Sequence, residues 1–126
     1  MDFKVTVEKK EAGYFIISAA GSIDTDTYEE FEKKISSVLD SLTKKILLNM
    51  ENVDYVSSVA FGVIFRTKQT LEKNGGTLAI ANLQPQVKKI FDAVKAIPEA
   101  LFANLREADE YLDSYIALIS RKNKDA

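Results

Sequence analysis

Short apolar runs alternate with segments of helical periodicity along the chain. Apolar residues at positions 3, 5 and 7 alternate with polar ones, a period-two pattern that predicts a strand with one exposed face. Residues 14–20 are nearly all apolar and predict a buried strand. The sequence Glu11-Ala12-Gly13 between them is typical of a turn, so we expect the two strands to form a β-hairpin.

A helix is predicted after this hairpin. Thr27 and Glu30 have the spacing of a capping box, and so do Asp26 and Glu29. The apolar positions that follow recur at helical spacing: Tyr28, Phe31, Ile35, Val38, Leu39 and Leu42. This pattern predicts an amphipathic helix of about four turns.

The pattern continues with strands and helices in alternation. Residues 45–50 predict a central strand buried on both faces, followed by a loop over residues 51–55. Ser57 or Ser58 is expected to cap a second helix that runs to about Lys73, with glycines at 75 and 76 ending it. Residues 77–81 predict another short buried strand, and Pro85 begins a third helix. We also expect a short strand at 101–105, a last helix at 107–120 and a polar tail at 121–126.

This order predicts a single α/β domain over residues 1–120. Strands that alternate with helices pair in parallel through right-handed crossovers. We therefore expect a mixed, mostly parallel central β-sheet packed with about four α-helices. Ligands of such sheets bind beyond the carboxyl ends of the central strands. The loops at residues 21–27 and 51–58 are predicted to lie there.

Composition removes several classes of chemistry. The 126 residues include neither cysteine nor histidine, which excludes disulfides, thiolate catalysis and Ser-His-Asp chemistry. The 17 basic and 19 acidic residues give no general attraction to nucleic acid or anionic membranes. The sequence contains neither a signal-peptide pattern nor an apolar run long enough for a membrane span. We expect a cytoplasmic protein, a monomer or weak dimer, with no catalytic residue, metal site or cofactor.

Two polar clusters are candidate functional sites. A phosphate on Ser58 would meet the free backbone N–H groups of a helix start and would repel a docked partner through close to two added charges. A serine pair at that place is also a common helix cap. Asp24 and Thr25 carry oxygens that could position a partner's phosphate through magnesium, or they could simply form a capping cluster.

The motifs taken together resemble a known family. Gly21-Ser22-Ile23-Asp24 is followed by a capped helix, and Ser57-Ser58 follows a second strand. With the segments at residues 46–50, 53–58, 61–64, 74–78 and 87–91, their order and spacing resemble the STAS domain, in particular bacterial anti-sigma factor antagonists. The likeness runs from about residue 3 to residue 119.

The resemblance implies a protein-binding switch and not an enzyme. The unphosphorylated antagonist would bind an anti-sigma factor of the serine kinase type, phosphorylation would weaken that binding, and a phosphatase would restore it. Sigma-factor-dependent transcription would be regulated without direct contact to nucleic acid or membrane. The acceptor is expected at Ser58, with Ser57 as second choice. The partner-binding residues expected from the resemblance and the loops are Asp24, Thr25, Ser57, Ser58, Val59 and Phe61.

The chain departs from the family pattern around the acceptor. Ser57 stands where an aspartate is common, and Val59 and Ala60 replace a small residue and a glycine. These changes favour the alternative of a STAS scaffold or adaptor that is not phosphorylated. For Phe61 the alternative is a buried core position. A third class, a ligand-binding or enzymatic domain, is disfavoured because the sequence has no histidine, cysteine or phosphate-binding loop.

Overall fold

Within residues 2–94, four strands form one mixed sheet in the order β1-β2-β3-β4. They are β1 (Lys4–Glu11), β2 (Tyr14–Ile23), β3 (Lys45–Val56) and β4 (Thr77–Ala81). The first pair is antiparallel, and the pairs β2/β3 and β3/β4 are parallel. The predicted hairpin and the predicted mixed, mostly parallel sheet are therefore confirmed.

The computed structural model describes residues 2–94. The strand predicted at 101–105, the helix predicted at 107–120 and the tail at 121–126 lie outside the described residues. Within them, three helices follow the strands in turn: α1 (Tyr28–Ser36), α2 (Ser58–Lys73) and α3 (Pro85–Val94). Pro85 occupies the first position of α3, as predicted, because its missing N–H has no partner there in any case.

The core lies on one face of the sheet. Alternate residues of β2 are buried while those between them are half-buried, so the two faces differ in exposure as a one-sided core requires. The helices α1 and α2 contact each other; α1 also contacts β2, and both α2 and α3 contact β3. The largest fully buried side chains are Phe31, Phe61, Ile17, Ile23, Ile35, Ile46, Leu48, Met50, Leu71, Val53 and Val56.

Helix α1 is shorter than predicted because a polar turn follows it. The backbone N–H groups of Val38 and Leu39 both donate to the carbonyl of Ile35, which tightens the chain and ends the helix. The Thr43 hydroxyl then donates to the carbonyl of Val38 at 2.5 Å. Val38 and Leu39 still pack on the core, but Leu42 is 77% exposed and is not part of the apolar stripe.

Strand β3 is longer than predicted, so the loop predicted at residues 51–55 is wrong. The segment remains paired with β2 as far as Val56, although the register between the two strands shifts twice. The first half of β3 was predicted to be buried on both faces. Ile46 and Leu48 on one face are buried, but Leu47 and Asn49 on the other are only half-buried. In β4, too, four residues are half-buried and Thr77 is exposed.

The end of α2 confirms the glycine prediction. Gly75 has a φ of +74°, a conformation that glycine adopts without steric cost. Its N–H donates to Glu72 O at 3.0 Å, and the N–H of Gly76 donates to Leu71 O at 2.7 Å. These two bonds form a Schellman motif.

Gly76 should tolerate no larger residue. A Cβ at this position would lie 2.5 Å from the carbonyl oxygen of Lys44, and backbone atoms cannot swing away as a side chain can. We expect Gly76→Ala to lower the free energy of unfolding by about 2–3 kcal/mol, measured by urea denaturation. The control is Gly75→Ala, where an added Cβ would meet no other atom. It should lower the free energy of unfolding by about 1–2 kcal/mol through the positive φ alone. Equal losses in the two variants would contradict the steric explanation.

Candidate functional site

The carboxyl ends of β2 and β3 bring the two predicted loops together. Ile23 and Val56 are paired at the last position of the parallel ladder. The N–H of Ser57 then donates to the carbonyl of Ile23 at 2.8 Å. Asp24 and Ser57 therefore leave adjacent strand ends, as predicted from the rule that parallel strands end at one edge.

The Asp24 carboxylate organises the first loop. Its Oδ1 accepts hydrogen bonds from the backbone N–H of Asp26 at 2.9 Å and of Thr27 at 3.1 Å. The Thr27 hydroxyl donates to Ser22 O at 2.7 Å and accepts from the N–H of Asp24 at 2.9 Å. Because its hydroxyl is used in this way, Thr27 makes no side-chain cap bond to α1. The predicted capping box of Thr27 with Glu30 is therefore wrong.

Asp24 therefore has a structural role in the first loop. Its side chain closes a local turn of the kind that aspartate commonly forms. Asp24 is half-buried, while the neighbouring Thr25 and Asp26 are exposed. The loop therefore presents Thr25 and Asp26 to the surrounding solvent and holds Asp24 in a fixed position between them and the strand.

Ser57 is the cap of α2. It has an extended backbone, with φ −79° and ψ 169°, and its hydroxyl accepts from the N–H of Ala60 at 3.4 Å. This geometry is the usual one for a capping serine. Ser57 is 5% exposed. Of the two residues considered for the cap, the structure selects Ser57.

Ser58 is the first residue of α2 and is almost fully buried. Its exposed fraction is 1%, while Val59 is half-buried and Ala60 is fully buried. The position at the helix start agrees with the prediction, because residues here lie among the free N–H groups and the positive end of the helix dipole. Nothing in the sequence predicts the low exposure of Ser58.

Phe61 does not lie on the surface. Its exposed fraction is 0%, and its ring meets the ring of Phe91 on α3 edge to face, with centroids 4.6 Å apart and an interplanar angle of 64°. The expectation that Phe61 offers a hydrophobic contact to a partner is therefore wrong. Phe61 is buried because α3 packs against this side of α2 and its Phe91 ring covers the Phe61 ring.

The structure adds residues that sequence reasoning missed. The Ser22 hydroxyl donates to Asp54 Oδ1 at 2.6 Å and joins β2 to β3 near the start of α2. Tyr55 is 42% exposed, and the side-chain amides of Gln84 and Gln86 donate to carbonyls of β3. The polar residues between positions 51 and 55 could have indicated an exposed surface there, but the same residues are also typical of a loop.

Within residues 2–94, no three acidic side chains are grouped so that they could hold a metal ion. Over the same residues, no helix combines the length and the apolar character needed to cross a membrane. The site consists of hydroxyl groups, carboxylates and the start of a helix.

The chain is similar in sequence to known proteins. Residues 4–108 match the family described as the STAS domain. The putative anti-sigma factor antagonist BtrV of Bordetella bronchiseptica is 26% identical over 105 residues, which are 83% of this chain and 90% of the relative. The anti-sigma-B factor antagonist of Staphylococcus aureus is 24% identical over 92 residues, which are 73% of this chain and 82% of the relative.

Solved structures agree on the fold. The unphosphorylated form of the Bacillus anti-sigma factor antagonist SpoIIAA matches with a TM-score of 0.61 and 22% sequence identity. The match covers 71% of this chain and 82% of that chain. At this level of identity the likeness establishes the fold and leaves the function to be argued from the site.

Proposed function

We propose that this chain, which belongs to the STAS domain family, acts as an anti-sigma factor antagonist. In its unphosphorylated state it binds an anti-sigma factor in the cytoplasm. Phosphorylation of Ser58 by that kinase-type partner ends the binding, and a phosphatase restores it. The chain itself contributes a binding surface and an acceptor hydroxyl to this cycle, with no catalytic group of its own.

One observation carries the proposal: Ser58 begins α2 next to the Asp24 loop. The bond from Ser57 N–H to Ile23 O holds the two loops together at 2.8 Å, so a partner that covers one loop also reaches the other. Backbone N–H groups at a helix start favour a phosphate. The curated relatives with matching sequences bear names of anti-sigma factor antagonists, which supports the same role.

The burial of Ser58 adds a condition to this role. A serine residue with 1% exposure is out of reach of a kinase active site while the helix start is closed. Helix termini open locally with a small free-energy cost compared with the whole fold. Phosphorylation at Ser58 therefore requires the first turn of α2 to open, and the bound partner is the protein placed to capture that open state.

Phosphopeptide mass spectrometry tests the proposed switch. The chain is isolated from its host under growth and stress conditions, and the peptide that contains Ser57 and Ser58 is quantified. We expect a phosphate on Ser58 whose occupancy changes with condition. Co-purification from the same samples should identify a serine kinase-type anti-sigma factor. A kinase of this type that binds the chain but never labels Ser58 or Ser57 would contradict the switch.

The charge of Asp24 should contribute to binding separately from its turn. Asp24→Asn keeps an oxygen that can accept from the N–H groups of Asp26 and Thr27, but removes the carboxylate charge. We expect this variant to bind the purified anti-sigma factor about fivefold to tenfold more weakly, with an unchanged melting temperature. Calorimetric titration and thermal unfolding measure the two effects.

The comparison variant is Asp24→Ala, which removes both the charge and the turn bonds. We expect it to bind more weakly than Asp24→Asn and to unfold at a lower temperature. Parent-like binding by both variants would remove Asp24 from the partner surface. Equal weakening by both, with equal loss of stability, would assign the effect to the loop structure and not to the charge.

A second candidate function is that of a STAS adaptor without phosphorylation. The burial of Ser58 and the presence of Ser57 and Val59 around it favour this alternative. Such an adaptor would bind its partner through the same loops. It predicts that Ser58→Ala behaves like the parent in every condition, including ATP-treated mixtures with the kinase, and that no phosphopeptide forms.

A further inference from the structure

The second half of β3 is bulged in a way that exposes a tyrosine. Relative to β2, the strand has one additional residue between the pairs of Ser18 and Ala20, and another between the pairs of Gly21 and Ser22. Bulges re-aim side chains and are frequent next to functional sites. In β3 the burial pattern changes from alternation to two exposed residues followed by one buried residue, and Tyr55 is exposed as a result.

This bulged segment is held from both sides. On the β2 side, Ser22 bonds to the Asp54 carboxylate at 2.6 Å. On the other side, β4 pairs with β3 only as far as Asn49. Beyond that point, Gln84 Nε2 donates to Glu51 O at 2.8 Å and Gln86 Nε2 to Asp54 O at 3.4 Å. The strand is therefore positioned before any partner arrives, which lowers the ordering cost of binding.

Tyr55 has the properties of an interface anchor. Within residues 2–94, the large hydrophobic side chains that are exposed are those of Leu42 and Tyr55. Leu42 precedes β3, while Tyr55 lies near its end. Tyrosine is enriched among the residues that dominate binding energy, since its ring is large and loses little entropy. Its neighbour Val56 is followed directly by the Ser57 cap, so Tyr55 borders the proposed phosphorylation site.

The two stretches of chain that form the site carry acidic side chains and no basic ones. The sequence has no Lys or Arg between Lys10 and Lys33, or between Lys45 and Arg66. These two stretches supply both strand ends and both loops of the site. Their exposed acidic residues there are Asp26, Glu29, Glu30, Glu51 and Asp54.

Basic side chains border this acidic region on β1 and on α3. The exposed Lys4 of β1 pairs with Ala20 of β2 and lies near Asn52 of β3. The exposed Lys88 and Lys89 follow Gln86 along that helix. A surface that is acidic over this extent attracts a basic partner and speeds their encounter. Cationic side chains also bind the face of a tyrosine ring.

We propose that the bulged surface around Tyr55, with Asp54 and Asp26 at its sides, docks a basic face of the anti-sigma factor. This inference rests on the proposed function and names the chemistry of the partner. Tyr55 is the anchor, and Lys or Arg side chains of the partner lie opposite Asp54 and Asp26. Ser58 lies within the covered area but not opposite these cations, so a phosphate there loses its hydration without gaining a counter-charge.

Photo-crosslinking identifies what covers this surface. The full chain carrying Tyr55→p-benzoylphenylalanine is irradiated in its host, and the crosslinked peptide is sequenced by mass spectrometry. We expect the peptide to come from a serine kinase-type anti-sigma factor and to lie next to Lys or Arg residues. The control position is Leu42, which should give no such crosslink. A crosslink to an acidic or uncharged face of the kinase overturns the proposal.

Binding of the purified kinase then measures the contribution of each group. We expect Tyr55→Ala to weaken binding about thirtyfold and Tyr55→Phe to retain most of it. Asp26→Lys should weaken binding about tenfold, and raising NaCl from about 50 to 500 mM should weaken the parent about tenfold as well. Glu11→Lys makes the same charge change at the hairpin turn and should have less than about a twofold effect.

The outcomes separate this inference from the proposed function. If Tyr55→Ala binds like the parent while Ser58→Asp does not bind, the Tyr55 surface is wrong and the switch stands. If no anti-sigma factor binds the parent, both are wrong. Thermal unfolding is measured for each variant, and the Tyr55→Phe variant keeps the test valid if Tyr55→Ala proves unstable. Loss of binding by Tyr55→Phe equal to that of Tyr55→Ala would also contradict the ring as anchor.

Discussion

Phe61→Ala should be among the most destabilising single substitutions in the described part of the chain. Phe61 is completely buried, and its ring packs edge to face on Phe91 with 4.6 Å between centroids. Truncation removes this contact and leaves a cavity between α2 and α3. We expect the free energy of unfolding to fall by about 3–5 kcal/mol, measured by urea denaturation of the full chain. Small domains have only about 5–15 kcal/mol in total, so much of the fold's stability is lost.

Phe65 provides the matched control. It lies one helical turn further along α2 and is half-buried, so Phe65→Ala should cost about 1–2 kcal/mol. Binding to the anti-sigma factor, measured where Phe61→Ala is still folded, should stay within about threefold of the parent. A Phe61→Ala variant that keeps its stability but loses its partner would return Phe61 to the binding surface.

Local signals in the sequence predicted the elements that depend on local geometry. Gly75 adopts the positive φ expected of a glycine that ends a helix, and Pro85 lies at the first position of α3. The hairpin follows from the spacing of apolar residues, and the parallel pairing follows from the alternation of strands with helices. Both patterns can be read in the sequence. Such features need only a few neighbouring residues to form, and the same residues are visible in the sequence.

Element boundaries that depend on distant partners could not be predicted. Leu42 continues the helical period of α1, yet the bonds of Val38 and Leu39 to Ile35 end the helix earlier. Residues 51–55 look like a loop because they are polar, but pairing with β2 through two register shifts keeps them in β3. A bulge is a property of two strands, and one strand's sequence does not show it.

The sequence predicted that the two loops lie side by side, but not which of their side chains are exposed. Adjacent ends of parallel strands were enough to bring Asp24 and Ser57 together. The burial of Phe61 depends on Phe91, and the exposure of Tyr55 depends on how β3 is bulged against β2. Both features depend on residues that are far apart in the sequence, so they cannot be predicted before the fold is known.

Ser58→Asp should abolish partner binding if the switch operates as proposed. The substitution places a fixed negative charge at the start of α2, where the helix dipole tolerates it. Because Ser58 is buried, the charged side chain must turn outward to stay hydrated in the free protein. A docked partner then removes that hydration, which costs several kcal/mol when no cation faces the charge. We expect affinity for the purified anti-sigma factor to fall at least about a hundredfold, measured by calorimetric titration.

Two further variants isolate the cause of this loss. Ser36→Asp adds the same charge at an exposed position at the end of α1 and should bind like the parent. Ser58→Ala should bind within about threefold of the parent and resist phosphorylation, so that its complex persists when ATP is added. Because Ser58 is buried, helix content and melting temperature are measured for Ser58→Asp as well. Parent-like binding by a folded Ser58→Asp removes the switch, and tighter binding shows that a partner cation faces Ser58, which contradicts the proposed arrangement of charges around Tyr55.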